Sequence, residues 1–440
     1  VSKPDTPVDL IVVNGTILTM DPAQPRIEDG AVAISEGRIV EIGPAAAFTG
    51  RPAGRRIDAR GGIVMPGLVN CHTHAAMTCF RGIADDLPLE TWLNEHIFPA
   101  EAELDADVVY WGTLLACAEM IRSGTTCFCD MYLFEESVAR AAKDAGMRAV
   151  VGEVLYDFPS PNYGPIEAGF AYTRQMAARW KDDPLVSAAV EPHSPYLCSP
   201  SLLEEAARIS SEAGIRLVVH VAETRAEVER SLAERGLTPV QYLAEVGVLS
   251  ERLLACHCVW LDERDIELLY EFGVKVAHNP ESNMKLASGI APVPEMLDAG
   301  ICVGLGTDGC ASNNDLDLFG EMDTAAKLHK VNTLDPTVVG AKQVLEMATC
   351  EGARALGLSA VTGSLTPGKR ADLIVVDTDR PHMTPLYNPV SHLVYAARGS
   401  DVSTVVINGK PVMEDRRLLT LDLEEIRRAV SSIARRVRRQ

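Results

Sequence analysis

The sequence predicts an α/β protein: a (β/α)8 TIM barrel with a small β-sandwich domain formed from both termini. Three observations lead there. Eight apolar strand candidates alternate with amphipathic helices, glycines punctuate the helix-to-strand passages, and both chain ends are rich in short strands. The 440 residues suffice for one large barrel and a smaller companion. Residues 1–62 and 366–440 are assigned to the small domain with its terminal helix, and 63–365 to the barrel.

The N-terminal segment reads as strands joined by tight turns. Leu10–Val13, Asn14-Gly15 and Thr16–Thr19 predict one hairpin; Ala31–Ser35, Glu36-Gly37 and Arg38–Ile42 predict a second. Ile63–Val69 then opens the barrel. Helical stretches end at Gly124, Gly146, Gly214, Gly273 and Gly300. Each is followed by an apolar strand: Thr125–Cys129, Met147–Val154, Ile215–Val221, Val274–Ala277 and Ile301–Leu305. Glycine suits the left-handed residue that closes a helix. With Val186–Val190 and Leu253–Cys256 the strands number eight. Near-continuous apolar strands belong to a parallel sheet covered by helices, and eight such units to a closed barrel. Asp372–Val376 and Ser403–Ile407, the latter entering Asn408-Gly409, return to the strand pattern. In the tail from Asp422 to Gln440, Ile426, Val430, Ile433 and Val437 recur at helical spacing. Arg427, Arg428, Arg435, Arg436, Arg438 and Arg439 surround them, which predicts a packed terminal helix with a solvated basic face.

Composition narrows the function. Lys plus Arg total 41 against 61 Asp plus Glu, a net charge of −20 that repels phosphate backbones, so no nucleic-acid partner is expected. No run reaches the roughly 18–20 apolar residues that cross a bilayer, and no signal peptide is visible. Eleven cysteines without framework spacing suit reduced thiols in a cytoplasm.

The residues at or just past the strand ends carry the chemistry: His72, His74, Asp130, Glu153, His193, His220, His257, His278 and Asp308. In a (β/α)8 barrel those ends converge on one mouth. Six of the ten histidines fall there. Residues two apart in extended chain point the same way, so His72 and His74 can reach one ion at about 2.0–2.1 Å. His220 and Asp308 complete a donor set suited to Zn²⁺, with Fe²⁺ or Mn²⁺ as alternatives. Glu223, three residues past His220, is placed to carry protons, and His257 to polarise the reacting centre. His278, before Asn279-Pro280, reads as structural, and Cys71, Cys256, Cys258 and Cys310 as packing.

Pro66-Gly67-Leu68-Val69-Asn70-Cys71-His72-Thr73-His74 resembles the first-strand signature of the amidohydrolase superfamily. Gly304-Leu305-Gly306-Thr307-Asp308-Gly309 resembles its last-strand signature, and Gly363-Ser364-Leu365 through Asp372-Leu373 its return into the small β domain. The resemblance implies that His72, His74, His220 and Asp308 bind one metal ion, that Glu223 shuttles protons, and that His257 assists the attacking water. Asp308 would also take the water's proton.

Phe80-Arg81-Gly82-Ile83-Ala84-Asp85-Asp86-Leu87, Trp92-Leu93, Phe98-Pro99-Ala100-Glu101 and Pro192-His193-Ser194-Pro195-Tyr196 look like the methylthioadenosine/S-adenosylhomocysteine deaminases. That likeness implies a nucleoside pocket lined by Trp92, Glu101, Arg148 and His193. Glu101 would accept from ribose hydroxyls, His193 would contact the purine, and Trp92 would flank the thioether. Each has a plainer reading: Trp92 as helix core, Glu101 as a surface charge, Arg148 as a strand-end ion pair. Some members of the group use a further arginine for the homocysteine carboxylate. None lies between Tyr156 and Tyr172, which tilts the expectation towards methylthioadenosine or adenosine. The expected partner is a small nucleoside, the expected state a cytoplasmic homo-oligomer. A triazine chlorohydrolase, a guanine-type deaminase and a non-catalytic barrel stand as alternatives.

Overall fold

The computed structural model describes residues 6–87, 91–102 and 104–437. Eight strands form the barrel: β6 (Leu68–Thr73), β7 (Thr125–Tyr132), β8 (Arg148–Leu155), β9 (Val186–Pro192), β10 (Arg216–Val221), β11 (Leu253–His257), β12 (Lys275–His278) and β13 (Cys302–Leu305). They pair in parallel and in sequence order, β6 through β13. At the seam the Asp308 N–H donates to the His72 carbonyl at 2.9 Å. Gly306 permits that approach, because a Cβ there would sit 2.9 Å from His72 backbone atoms. The five glycines expected to close helices all adopt left-handed φ, between 64° and 89°.

The remaining strands build a nine-stranded mixed sheet from both termini. They are β1 (Val8–Leu18), β2 (Arg26–Ser35), β3 (Arg38–Pro44), β4 (Ala53–Asp58), β5 (Ile63–Pro66), β14 (Leu373–Val376), β15 (Val402–Ile407), β16 (Lys410–Glu414) and β17 (Arg417–Leu418). Period-two alternation fastens this sheet to the barrel. Ile63, Met65, Ile374 and Val376 join the barrel's apolar core, while Val64, Leu373 and Val375 join a second core with Leu10, Val12 and Val32.

Two local expectations are corrected. Asn14-Gly15 is a bulge within the single strand β1, where the register with β2 shifts, and not a hairpin turn. The apolar run Ile63–Val69 divides at Gly67: β5 pairs with β1 and β14 of the mixed sheet, and only β6 enters the barrel. The turns at Glu36-Gly37 and Asn408-Gly409 do join antiparallel neighbours, with positive φ at all four residues.

The terminal helix Leu423–Val437 packs on the helix Ala106–Arg122. It buries Ile426, Val430 and Ile433 and exposes Arg427, Arg428, Arg435 and Arg436. Arg438, Arg439 and Gln440 lie outside the described residues. Among the described residues no helix is long and apolar enough to cross a membrane.

Candidate active site

The C-terminal ends of the barrel strands bring the predicted residues together. His72 is the second-to-last residue of β6 and His74 lies just beyond the strand, with ring centroids 4.8 Å apart. His220 from β10 stands 4.9 Å from His72 and 5.5 Å from His74, centroid to centroid. The Asp308 carboxylate lies 3.1 Å from His74 Nε2 and 3.7 Å from His72 Nε2. His257, the last residue of β11, stacks at 5.5 Å from His220. Two overlapping donor sets, His72–His74–Asp308 and His72–His220–His257, keep their ligand atoms within 4.8 Å of one another.

Hydrogen bonds behind the rings aim them inward. His74 Nδ1 meets the Met131 carbonyl, and His220 Nδ1 meets the His193 carbonyl at 2.8 Å. His257 Nδ1 meets Asn283 Oδ1 at 2.9 Å. A ring whose Nδ1–H donates backwards presents the Nε2 lone pair to the centre. His72 is fully buried, and among the described residues neither of its ring nitrogens has a hydrogen-bond partner. Such an orphaned group costs about 1–3 kcal/mol unless something answers it. Burial holds His72 and His220 well below the usual imidazole range, in the neutral form that ligates metal. For His74 burial also works downward, but the bond to Asp308 prevails and raises it to about 9; the carboxylate demands a positive charge at this point. Neutral inward imidazoles, an orphaned ring and a carboxylate calling for a cation fit one divalent ion held by His72, His74, His220 and Asp308.

Asp308 is held firmly. Its Oδ2 accepts from Ser282 Oγ at 2.6 Å and Ser312 Oγ at 2.8 Å, and Oδ1 from the Gly309 N–H at 2.8 Å. Asp308 and His257 both adopt left-handed φ, 60° and 73°, a backbone cost of about 1–3 kcal/mol each that functional sites often carry. Glu223 lines the same cavity, and its carboxylate bonds to no described residue. Burial raises that carboxyl above the usual range. Buried Glu227 fixes the segment by accepting the Ala222 and Glu223 N–H groups at 3.0 and 2.8 Å.

The cavity above the cluster is lined by Trp92, Glu101 and His193 as expected. Burial raises Glu101 to about 7 and lowers His193 to about 3, so the imidazole is neutral. Arg148 is a correction: it is the first residue of β8 and lies at the opposite end of the barrel. There it donates to both carboxylate oxygens of Asp372 at 2.8 and 3.1 Å and to the Pro184 carbonyl at 2.8 Å. His278 also stays out of the cavity, its Nε2 3.1 Å from His329 Nε2.

Several site residues escaped sequence reasoning. Tyr156 and Phe158 stack 3.9 Å apart in the cavity wall, with Tyr132, Phe98 and Leu197 also lining it. They sit at strand ends or in loops, where no periodicity marks them. Asn283, Ser282 and Ser312 act behind the ligands; Asn279-Pro280 and Gly309 nearby were the only local signals.

The amidohydrolase family model matches residues 63–412. The chain is 62% identical over 431 residues to a Syntrophobacter fumaroxidans protein named 5-methylthioadenosine/S-adenosylhomocysteine deaminase, covering 98% of each chain. It is 48% identical over 437 residues to a Methanosarcina mazei protein named 5'-deoxyadenosine deaminase, covering 98% of this chain and 99% of that one. Among solved structures, a zinc-containing adenosine deaminase from Xanthomonas campestris superposes with a TM-score of 0.97. It shares 40% identity and covers 99% of this chain and 100% of its own.

Proposed function

The chain belongs to the amidohydrolase family, and from that premise we propose that it is a hydrolytic deaminase. It replaces the 6-amino group of an adenosine-like nucleoside with oxygen and releases ammonia. The observation that carries the reading is the meeting of three imidazoles and a carboxylate under a cavity whose wall carries Glu223 and His257. Relatives named for methylthioadenosine, S-adenosylhomocysteine and 5'-deoxyadenosine point to the same substrate class.

The ion is zinc, by the borderline donors and by the zinc in the related adenosine deaminase. A divalent ion bound there supplies the Lewis acidity that makes water a nucleophile near neutral pH. Asp308 accepts the proton of the attacking water. Glu223 protonates purine N1 as oxygen adds to C6, then carries a proton to the departing amine. His257, braced by Asn283, steadies the oxygen at the tetrahedral centre. Water supplies the oxygen gained at C6, and the amino group leaves as ammonia. General acid–base assistance of this kind contributes about 10²–10⁴-fold.

Glu101 holds the ribose hydroxyls, whose donated bonds favour its ionised form against burial. His193 contacts the purine, and Trp92 flanks the 5' end. No described residue lining the cavity is Lys or Arg, and Leu93, Phe98, Phe158 and Leu197 are apolar. A homocysteine carboxylate would enter without a cationic partner, which costs binding. The preferred 5' group is therefore small and apolar, methylthio or hydrogen. Eleven unpaired cysteines suit a reducing cytoplasm.

Ammonia release from a panel of nucleosides tests the reading. Methylthioadenosine and 5'-deoxyadenosine should turn over faster than S-adenosylhomocysteine, with guanine inert. Turnover of guanine or a triazine in place of every adenosine would overturn it.

A further inference from the structure

At the other end of the barrel the strands begin over a second cavity, of about 690 Å³. That is within the roughly 300–1,000 Å³ of small-molecule sites. Its charged lining is one-sided. Arg216 opens β10, Arg252 precedes β11, Lys275 opens β12, and Arg354 comes from the helix Cys350–Ala355; among the described residues Glu251 is the one carboxylate lining the same walls. This is a concentration of positive charge in a chain whose net charge is −20.

The cations are not explained by ion pairing. Arg216 donates to the Glu251 and Arg354 carbonyls at 2.7 and 3.4 Å. Lys275 donates to the Glu251 carbonyl at 2.9 Å and to the Gly273 carbonyl. These bonds tie down loops, and among the described residues neither side chain makes an ion pair, although the Glu251 carboxylate attracts both. Arg354 pairs with Glu351, outside the cavity lining. Among the described residues the Arg252 guanidinium has no hydrogen-bond or ion-pair partner. Burial lowers Arg216 and Lys275, and neighbouring cations add to it: Arg252 acts on Arg216, and Arg216 and Arg354 act on Lys275. Tyr270, 60% exposed, adds an aromatic face to the cavity lining.

We propose that this floor cavity is a binding site for a phosphate-bearing small molecule, its phosphate held by Arg216, Arg252, Lys275 and Arg354. Charge-assisted bonds from guanidinium and ammonium groups to phosphate are strong and match these donors. Tyr270 offers a stacking surface for a base, so a nucleotide or free phosphate can be the source of the same chemistry.

Isothermal titration calorimetry on the metal-loaded protein, in low-salt buffer without phosphate, tests the site. The probes are uridine 5'-diphosphate, inorganic phosphate and uridine. Uridine is chosen because a pyrimidine avoids recognition of a purine at the mouth. A phosphate-bearing probe should bind saturably, raise the thermal midpoint and weaken with added salt, while uridine should not bind. Arg252→Glu should weaken binding by about tenfold or more, and Arg354→Ala should weaken it also, with the midpoint of each variant without anion near that of the parent. Equal affinity for inorganic phosphate and the diphosphate would identify the free anion as occupant. Tighter diphosphate binding that Tyr270→Ala relaxes would identify a nucleotide. No saturable binding of either phosphate probe, or binding indifferent to both Arg252→Glu and Arg354→Ala, would overturn the proposal.

Discussion

The two ends of the barrel make opposite demands, although the same strands supply both. β10 carries Arg216 at its start and His220 near its end, and β12 carries Lys275 and His278 likewise. At the mouth, neutral imidazoles and Asp308 leave a place for a cation; at the floor, four cations stand over one carboxylate. A parallel barrel makes this separation possible, because every strand start faces one way and every strand end the other. Chemistry collects at the ends, and the starts carry loop anchors, the Arg148–Asp372 ion pair and the cations of the floor cavity. Position along a strand therefore tells more about a polar residue than its type does.

Substitutions at the two ends should separate activity from stability. The largest effect should follow removal of the metal: a chelator should abolish ammonia release and added zinc restore it. Activity that survives metal depletion would detach the mouth from the chemistry. Next, Glu223→Gln should lower kcat by about 10²–10⁴-fold with metal content unchanged; a loss of only a fewfold would remove Glu223 as proton carrier. At the floor, Arg148→Ala should instead lower stability, by about 3–5 kcal/mol, since it leaves Asp372 buried without its ion pair. Urea unfolding measures that loss, and KM for the nucleoside should not move in protein that remains folded. A raised KM with unchanged stability would return Arg148 to the pocket. The smallest effect should come from Asn283→Ala, which removes the 2.9 Å partner of His257 Nδ1, leaves only the Asn279 amide at 3.3 Å, and should cost about tenfold in kcat with KM kept. An unchanged kcat would show that the ring needs no brace.

Much of this was legible before any coordinates. His72, His74, His220, His257 and Asp308 could be gathered at one mouth because glycines mark where helices stop and apolar runs mark strand direction. The errors have physical causes. At Asn14-Gly15 only Asn14 takes a left-handed φ, 60°, and such a residue serves a bulge as well as a hairpin; only the partner strand β2 decides between them. Ile63–Val69 is one apolar run, but the chain changes sheets at Gly67, where any side chain would collide with Thr126. Arg148 was placed in the pocket by resemblance, although a residue at the start of its strand belongs to the floor. The cavity aromatics Tyr156 and Phe158, and the braces Asn283 and Ser312, answer to neighbours distant in sequence and carry no local pattern.

The central claim, that four side chains hold one divalent cation at the mouth, is tested most directly by anomalous scattering from crystals at the zinc edge. A single peak is predicted about 2.0–2.2 Å from nitrogens of His72, His74 and His220 and from an Asp308 oxygen. An active protein with no peak there, or with its metal bound elsewhere, would contradict the account.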